Sequence, residues 1–116
     1  MPSLSFAAPI LPGKTRDWFA FDQQLAGARH QDYIESRRRL GIVHEAAFYQ
    51  PTPQGDMVIV YLEVQDPGRA FQGLATSQEP FDVWFRDMTL QLHGLDLTQP
   101  LPGPLPLPAF EWREGQ

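Results

Sequence analysis

"GIVHEAAFYQPTPQGDMVIVYLEV", residues 41–64, decides the fold. Two runs of strand-forming residues flank a turn segment containing Pro51, Pro53 and Gly55, which is how a β-hairpin is written in sequence. Successive strand residues face opposite sides of a sheet, so Ile42, His44, Ala46 and Phe48 are expected on one face and Val43, Glu45, Ala47 and Tyr49 on the other. Setting Tyr49 opposite Met57 pairs Phe48 with Val58, Ala46 with Val60, His44 with Leu62 and Ile42 with Val64. That face is nearly dry and calls for helices over it. The reverse face then holds Tyr49 beside Met57, Glu45 beside Tyr61 and Val43 beside Glu63. A one-residue slip would mix polar and apolar groups on both faces, which favours this register.

Upstream, Ser3 to Leu11 is extended in character, with Pro9 marking an edge or bulged strand, and "LPGK" turns the chain. From Lys14 to Leu40 the spacing becomes helical. Trp18, Phe21, Leu25 and Ala28 form one stripe, and Phe19, Ala26, Tyr33 and Leu40 form a second beside it. Gly27 weakens the helix midway and invites a kink or break; Gly41 supplies the stop. Arg37, Arg38 and Arg39 fall at that helix end, where the dipole accounts for them without a ligand.

Downstream, Asp66 as N-cap and Pro67 at the first helical position begin a short helix around Phe71 and Leu74. A further helix starts near Pro80, buries Phe81, Trp84, Phe85, Met88 and Leu92, and closes at Gly94. Asp82 and Arg86 read as a solvated i,i+4 pair on its outer side. In the tail, alternating prolines from Pro100 to Pro108 exclude the PxxP spacing of an SH3-type ligand. They would blank one strand edge while Leu101, Gly103, Leu105 and Leu107 could pair on the other, and Ala109 to Arg113 reads as a final strand or anchor. A disordered tail is the competing reading.

Composition bounds the function. A chain of 116 residues with 42% hydrophobic content holds one core. A formal net charge of -5 argues against nucleic acid as a partner. No segment approaches the length of a membrane span, and the opening residues lack a basic region and carry Pro9 and Pro12, so neither a membrane nor a signal peptide is expected. The absence of cysteine excludes disulfides and thiolate chemistry and points to the cytoplasm. No paired-histidine motif, Walker loop, G-x-G-x-x-G or G-x-S-x-G is present, so no metal or bound cofactor is expected.

The order strand, helix, strand, strand, helix, strand is the ferredoxin-like split βαβ arrangement: an α+β fold with a four-stranded antiparallel sheet and helices on one face. Residues 1–97 are expected to form this domain and 98–116 a proline-rich C-terminal arm able to supply the last strand. "LPGK", the helix ending in "RRRLG", the strands "IVHEAAFY" and "GDMVIVYLEV" and the late "EPFDVWFRD" resemble a small bacterial family of uncharacterised function in the dimeric α/β-barrel superfamily, over roughly residues 5–93. The resemblance implies a homodimer that brings two sheets together, with a cleft between sheet and helices or within the barrel. Glu45 and Tyr61 match an acidic and an aromatic position of that pattern, whereas His44 and Glu79 depart from it.

Burial of Ala47, Ile59, Met57 and Val43 by a second copy would place Glu45, Tyr61, Glu63 and Tyr49 in or beside the barrel interior, with Tyr61 donating to Glu45. Two functions follow from different classes. In the first, a small aromatic or apolar metabolite is bound or transformed without a cofactor, Glu45 or His44 acting as acid or base and Trp84, Phe48 and Tyr61 holding the substrate. In the second, the protein is a non-catalytic homodimeric module for a ligand or a protein. His44 also reads as a satisfied core histidine, and His30 and His93 as surface residues.

Overall fold

Pro53 and Gln54 close the hairpin as a two-residue loop. Thr52 pairs with Gly55, and the Thr52 hydroxyl donates to the Gly55 carbonyl at 2.6 Å while accepting from the Gln54 N–H at 3.2 Å. The structure is a computed structural model that describes residues 2–100 and 103–115. Its elements are β1 Ser3–Pro9, α1 Thr15–Ala26, α2 His30–Leu40, β2 Ile42–Thr52, β3 Gly55–Val64, α3 Pro67–Thr76 and α4 Pro80–His93. The strands form one antiparallel sheet in the order β1-β3-β2.

The register of β2 on β3 differs from strict alternation. Ile42 opposes Val64 as the sequence predicts, but a bulge at Val43 intervenes, after which His44 opposes Glu63, Glu45 opposes Leu62 and Ala46 opposes Tyr61. Tyr49 therefore faces Val58, not Met57. The extra residue lets Ile42 and Glu45 point to the same face, which unbroken alternation forbids. Both have reason to be there: Ile42 packs into the core with Val64, and Glu45 meets Arg37 of α2.

Both core clusters lie on that face. Ala8, Ile10 and Val58 meet Trp18 and Phe21 of α1 and Leu92 of α4, while Leu4, Leu62 and Val64 meet Ala70 of α3. Full burial of a side chain such as Leu62 or Val64 contributes about 1.5–3 kcal/mol. On the opposite face Ala46, Phe48, Met57, Ile59 and Tyr61 have no helix over them, and Phe48 is 57% exposed.

The helix boundaries follow local rules. Gly27 breaks the first helical segment: the chain turns through 27–29, and a Cβ at Gly27 would lie 2.9 Å from the Gln23 carbonyl oxygen. Gly41 ends α2 in the left-handed region at φ 74°, open to glycine at little cost. Asp66 caps α3 through its carboxylate, 3.1 Å from the Arg69 N–H, with Pro67 at the first position. Phe81, Trp84, Phe85, Met88 and Leu92 form the inward stripe of α4, and Gly94 closes that helix.

The described residues form a three-stranded sheet, not the expected ferredoxin-like sheet of four strands. Residues 103–115 contain no strand, and Leu107, Phe110 and Trp112 are 86%, 88% and 72% exposed. Leu101, also expected to pair, lies outside the described residues. Proline does more than blank one strand edge: its ring fixes φ near −65°, and each residue before it is restricted as well. Alternating prolines therefore favour polyproline II angles over the φ of roughly −140° that an antiparallel ladder needs. Among the described residues, no strand pairs with the outer edge of β1. Among the described residues no helix is long and apolar enough to cross a membrane.

Asp82 and Arg86 are not the solvated pair that their spacing suggests. Asp82 is 1% exposed and accepts from Ser36 Oγ at 2.5 Å, Ser77 Oγ at 2.5 Å and Arg39 Nη2 at 3.1 Å. Arg86 instead donates to the Leu74 and Ser77 carbonyls at the end of α3, at 2.8 and 2.7 Å. Arg39 is thereby more than a dipole-compensating charge, since it joins the end of α2 to α4.

Candidate functional site

The helices do not fill the space above the sheet. A cavity of about 480 Å³ lies between Phe6, Ala8, Val58, Val60 and Leu62 below and Phe21, Leu25, Tyr33 and Phe85 above. A volume of that size is in the range of small-molecule sites. Leu95 and Leu97, just after α4, complete part of its wall.

One end of the cavity is polar and internally satisfied. Tyr33 and Arg37 lie one helical turn apart on α2 and both donate to Glu45 Oε1, the phenol at 2.5 Å and the guanidinium Nε at 2.8 Å. The Arg37 guanidinium also sits 4.3 Å from the centre of the Phe85 ring and 4.7 Å from that of Tyr33. Burial alone would lower the Arg37 pKa, but the Glu45 carboxylate together with the Tyr33 phenol outweighs that cost and keeps the side chain charged. Burial, followed by the charge of Glu45, pushes the Tyr33 phenol up, so it remains a donor. Both contacts fall on Oε1; Oε2 of Glu45 has no hydrogen-bond partner among the described residues.

Asp22 of α1 also lines the cavity, and its situation is different. Burial pushes its carboxyl up to about 6, and no hydrogen bond or ion pair to it is made among the described residues. His93 sits near the rim with Nδ1 donating to the Pro9 carbonyl at 2.8 Å; burial draws its pKa below the usual imidazole value, leaving it neutral at pH 7. His30 donates in the same manner to the Leu25 carbonyl at 3.0 Å. Both histidines line the cavity instead of belonging only to the surface. The described residues hold no group of three or more His, Asp or Glu side chains arranged to take a metal ion.

The residues nominated from sequence are divided by the bulge. Glu45 alone among them reaches the cavity. Its expected donor Tyr61 is on the opposite face, and Tyr33 takes that place. His44 is not a core residue under the helices: its ring lies 5.5 Å from Tyr61 and its Nδ1 2.9 Å from Glu63 Oε2 on the open face. Phe48 shares that face, so it cannot hold a molecule together with Trp84, which packs on Phe21 and Phe81 behind the sheet. Tyr49 faces the helices at the far end of β2 and packs against Trp18 and Phe19.

Asp22, Tyr33 and Arg37 were the residues missed. Tyr33 stood on a helical stripe and Arg37 follows it by four, a spacing that can present both to one acidic strand residue. Asp22 follows Trp18 by four and borders the Trp18–Phe21–Leu25 stripe, so a charge at the edge of a buried face was visible in the chain. No protein-family model, curated protein or solved structure matches this chain.

Proposed function

We propose that the protein binds, and in the presence of a suitable reactive group transforms, a small aromatic or otherwise apolar molecule in the cavity between the sheet and α1, α2 and α4. The carrying observation is a space of about 480 Å³ with an apolar floor and roof and a carboxylate in its wall. Any acid–base work in this reading falls to Asp22, whose pKa near neutrality suits proton transfer, with Glu45 held in place by Tyr33 and Arg37. The cysteine-free chain fits a protein of the reducing cytoplasm.

The test is to fill the space. 2-Naphthylmethanol, a neutral aromatic probe, should bind to the wild type and be excluded by Val60→Trp, whose indole would occupy the cavity floor. Fluorescence titration reads the binding and far-ultraviolet circular dichroism checks the fold. Equal affinity of both proteins would remove the cavity from the function.

The open sheet face supports a second reading, a homodimer serving as a ligand- or protein-binding module. Ala46, Phe48, Met57 and Ile59 gather there, with Phe48 57% exposed, and a second copy would cover them. Phe48→Lys should then convert a dimer to a monomer in sedimentation; a wild type that sediments as one protomer at micromolar concentration ends this reading.

A further inference from the structure

The cavity contains an imbalance of charge that specifies one end of its occupant. Three permanently or readily charged side chains line it: Asp22, Glu45 and Arg37. Arg37 and Glu45 neutralise one another at 2.8 Å. Asp22 is left over. Arg29, seven residues further along the chain, is engaged elsewhere, its guanidinium stacked 3.9 Å over the Trp84 ring and its Nε 3.2 Å from Gln24 Oε1. The two histidines of the lining have their Nδ1 hydrogens committed to the Leu25 and Pro9 carbonyls. Phe21, Leu25, Val58 and Val60, which also line the cavity, have no side-chain donor, the Thr89 hydroxyl is committed to the Phe85 carbonyl at 2.9 Å, and no side chain donates to Asp22 among the described residues.

We propose that the molecule taken into this cavity is an apolar amine, with its ammonium group against the Asp22 carboxylate and its hydrocarbon body over Val58 and Val60. This rests on the cavity reading above and adds the charge of the ligand to it. The carboxylate has lost part of its hydration without gaining a partner, which is why burial raises its pKa to about 6. An ammonium restores what burial removed. An anionic ligand would add a second uncompensated charge, and a neutral hydroxyl would satisfy one lone pair without offsetting the charge.

Three ligands that share one ring system separate these cases: 2-naphthylmethylamine, 2-naphthylmethanol and 2-naphthoate, each titrated calorimetrically into the full chain. At pH 7.5 the amine should bind at least about tenfold more tightly than the alcohol, and the naphthoate most weakly of the three. Lowering the pH to 5 protonates Asp22 while the amine stays charged, so the preference for the amine should shrink towards unity. Asp22→Asn should abolish the preference at pH 7.5 and retain the alcohol. The wild-type pH profile decides the matter if that variant does not fold. Amine binding no tighter than alcohol binding at pH 7.5 overturns the assignment of charge and leaves the cavity reading standing. Binding of none of the three overturns both.

Discussion

Asp82 and Asp22 are two carboxylates pressed against apolar structure, and the molecule treats them in opposite ways. Asp82, at the seam of α2, α3 and α4, is fully enclosed and receives three donors from Ser36, Ser77 and Arg39. Burial works to raise its pKa, but those three donors outweigh burial and hold the carboxyl below the ordinary carboxylate range. Asp22, on the cavity wall, is partly buried and receives none among the described residues, so burial acts unopposed. The seam therefore uses its charge to join helices. The cavity keeps its charge at a cost in stability, which is the pattern expected where a group is held for a ligand.

The largest effect expected on this contrast comes from Asp82→Ala. Removing the acceptor strands the buried Ser36 hydroxyl, the partly buried Ser77 hydroxyl and the Arg39 contact, and should cost about 3 kcal/mol in urea unfolding, within the range for breaking a buried charged network. A loss below about 1 kcal/mol would show that the seam does not depend on the carboxylate. Next is Arg37→Leu, which leaves Glu45 uncompensated at the polar end of the cavity and should cost about 2 kcal/mol, reduced because Glu45 retains some solvent access. Removing the charge as well, in Arg37→Leu/Glu45→Gln, should recover part of that loss, and an undiminished deficit in the double variant would argue against charge as the cause.

The smallest effect has the opposite sign. Asp22→Asn should stabilise the unliganded protein at pH 7 by about 1 kcal/mol, well short of the full pKa shift because the side chain keeps partial access to solvent. The sign follows from linkage: with a folded pKa of about 6 and an ordinary value of 3.8, the folded state binds more protons between them. The cost of the wild-type carboxylate is thus present above pH 6 and disappears as the pH falls towards 4. Asp82 behaves in reverse, its contribution being present above pH 4 and lost as the pH falls through its lowered folded value. Destabilisation by Asp22→Asn at pH 7 would mean that Asp22 holds a structural bond, and the two regions would no longer differ in kind.

Much of the scaffold was legible because single residues dictate it. Gly41, Gly94 and the Asp66–Pro67 pair each fix a helix boundary through the backbone alone, and each does so in the structure. The core stripe of α4 was legible for the same local reason, its repeat matching one helical face. What failed depended on contacts distant in sequence. Asp82 resembles a surface residue until α2 brings Ser36 and Arg39 to it across 46 and 43 positions. The partner of Glu45 was sought across the ladder in Tyr61, whereas it came from the helix above, where Tyr33 and Arg37 approach from the other side. The tail differs for another reason: an alternating pattern of donors is compatible with a strand, but the backbone angle that proline imposes is not.

The bulge also makes the eleven-residue β2 unequally sensitive to changes in length. Val43 and His44 together oppose Glu63, so excising Val43 would leave Ile42 over Val64 and everything from His44 onward with its present neighbour. Losing one residue anywhere from Glu45 to Tyr49 would turn part of the strand over and carry apolar side chains into water. Val43 is the spare rung of this ladder, the position where a codon can vanish and the inside of the protein stays inside.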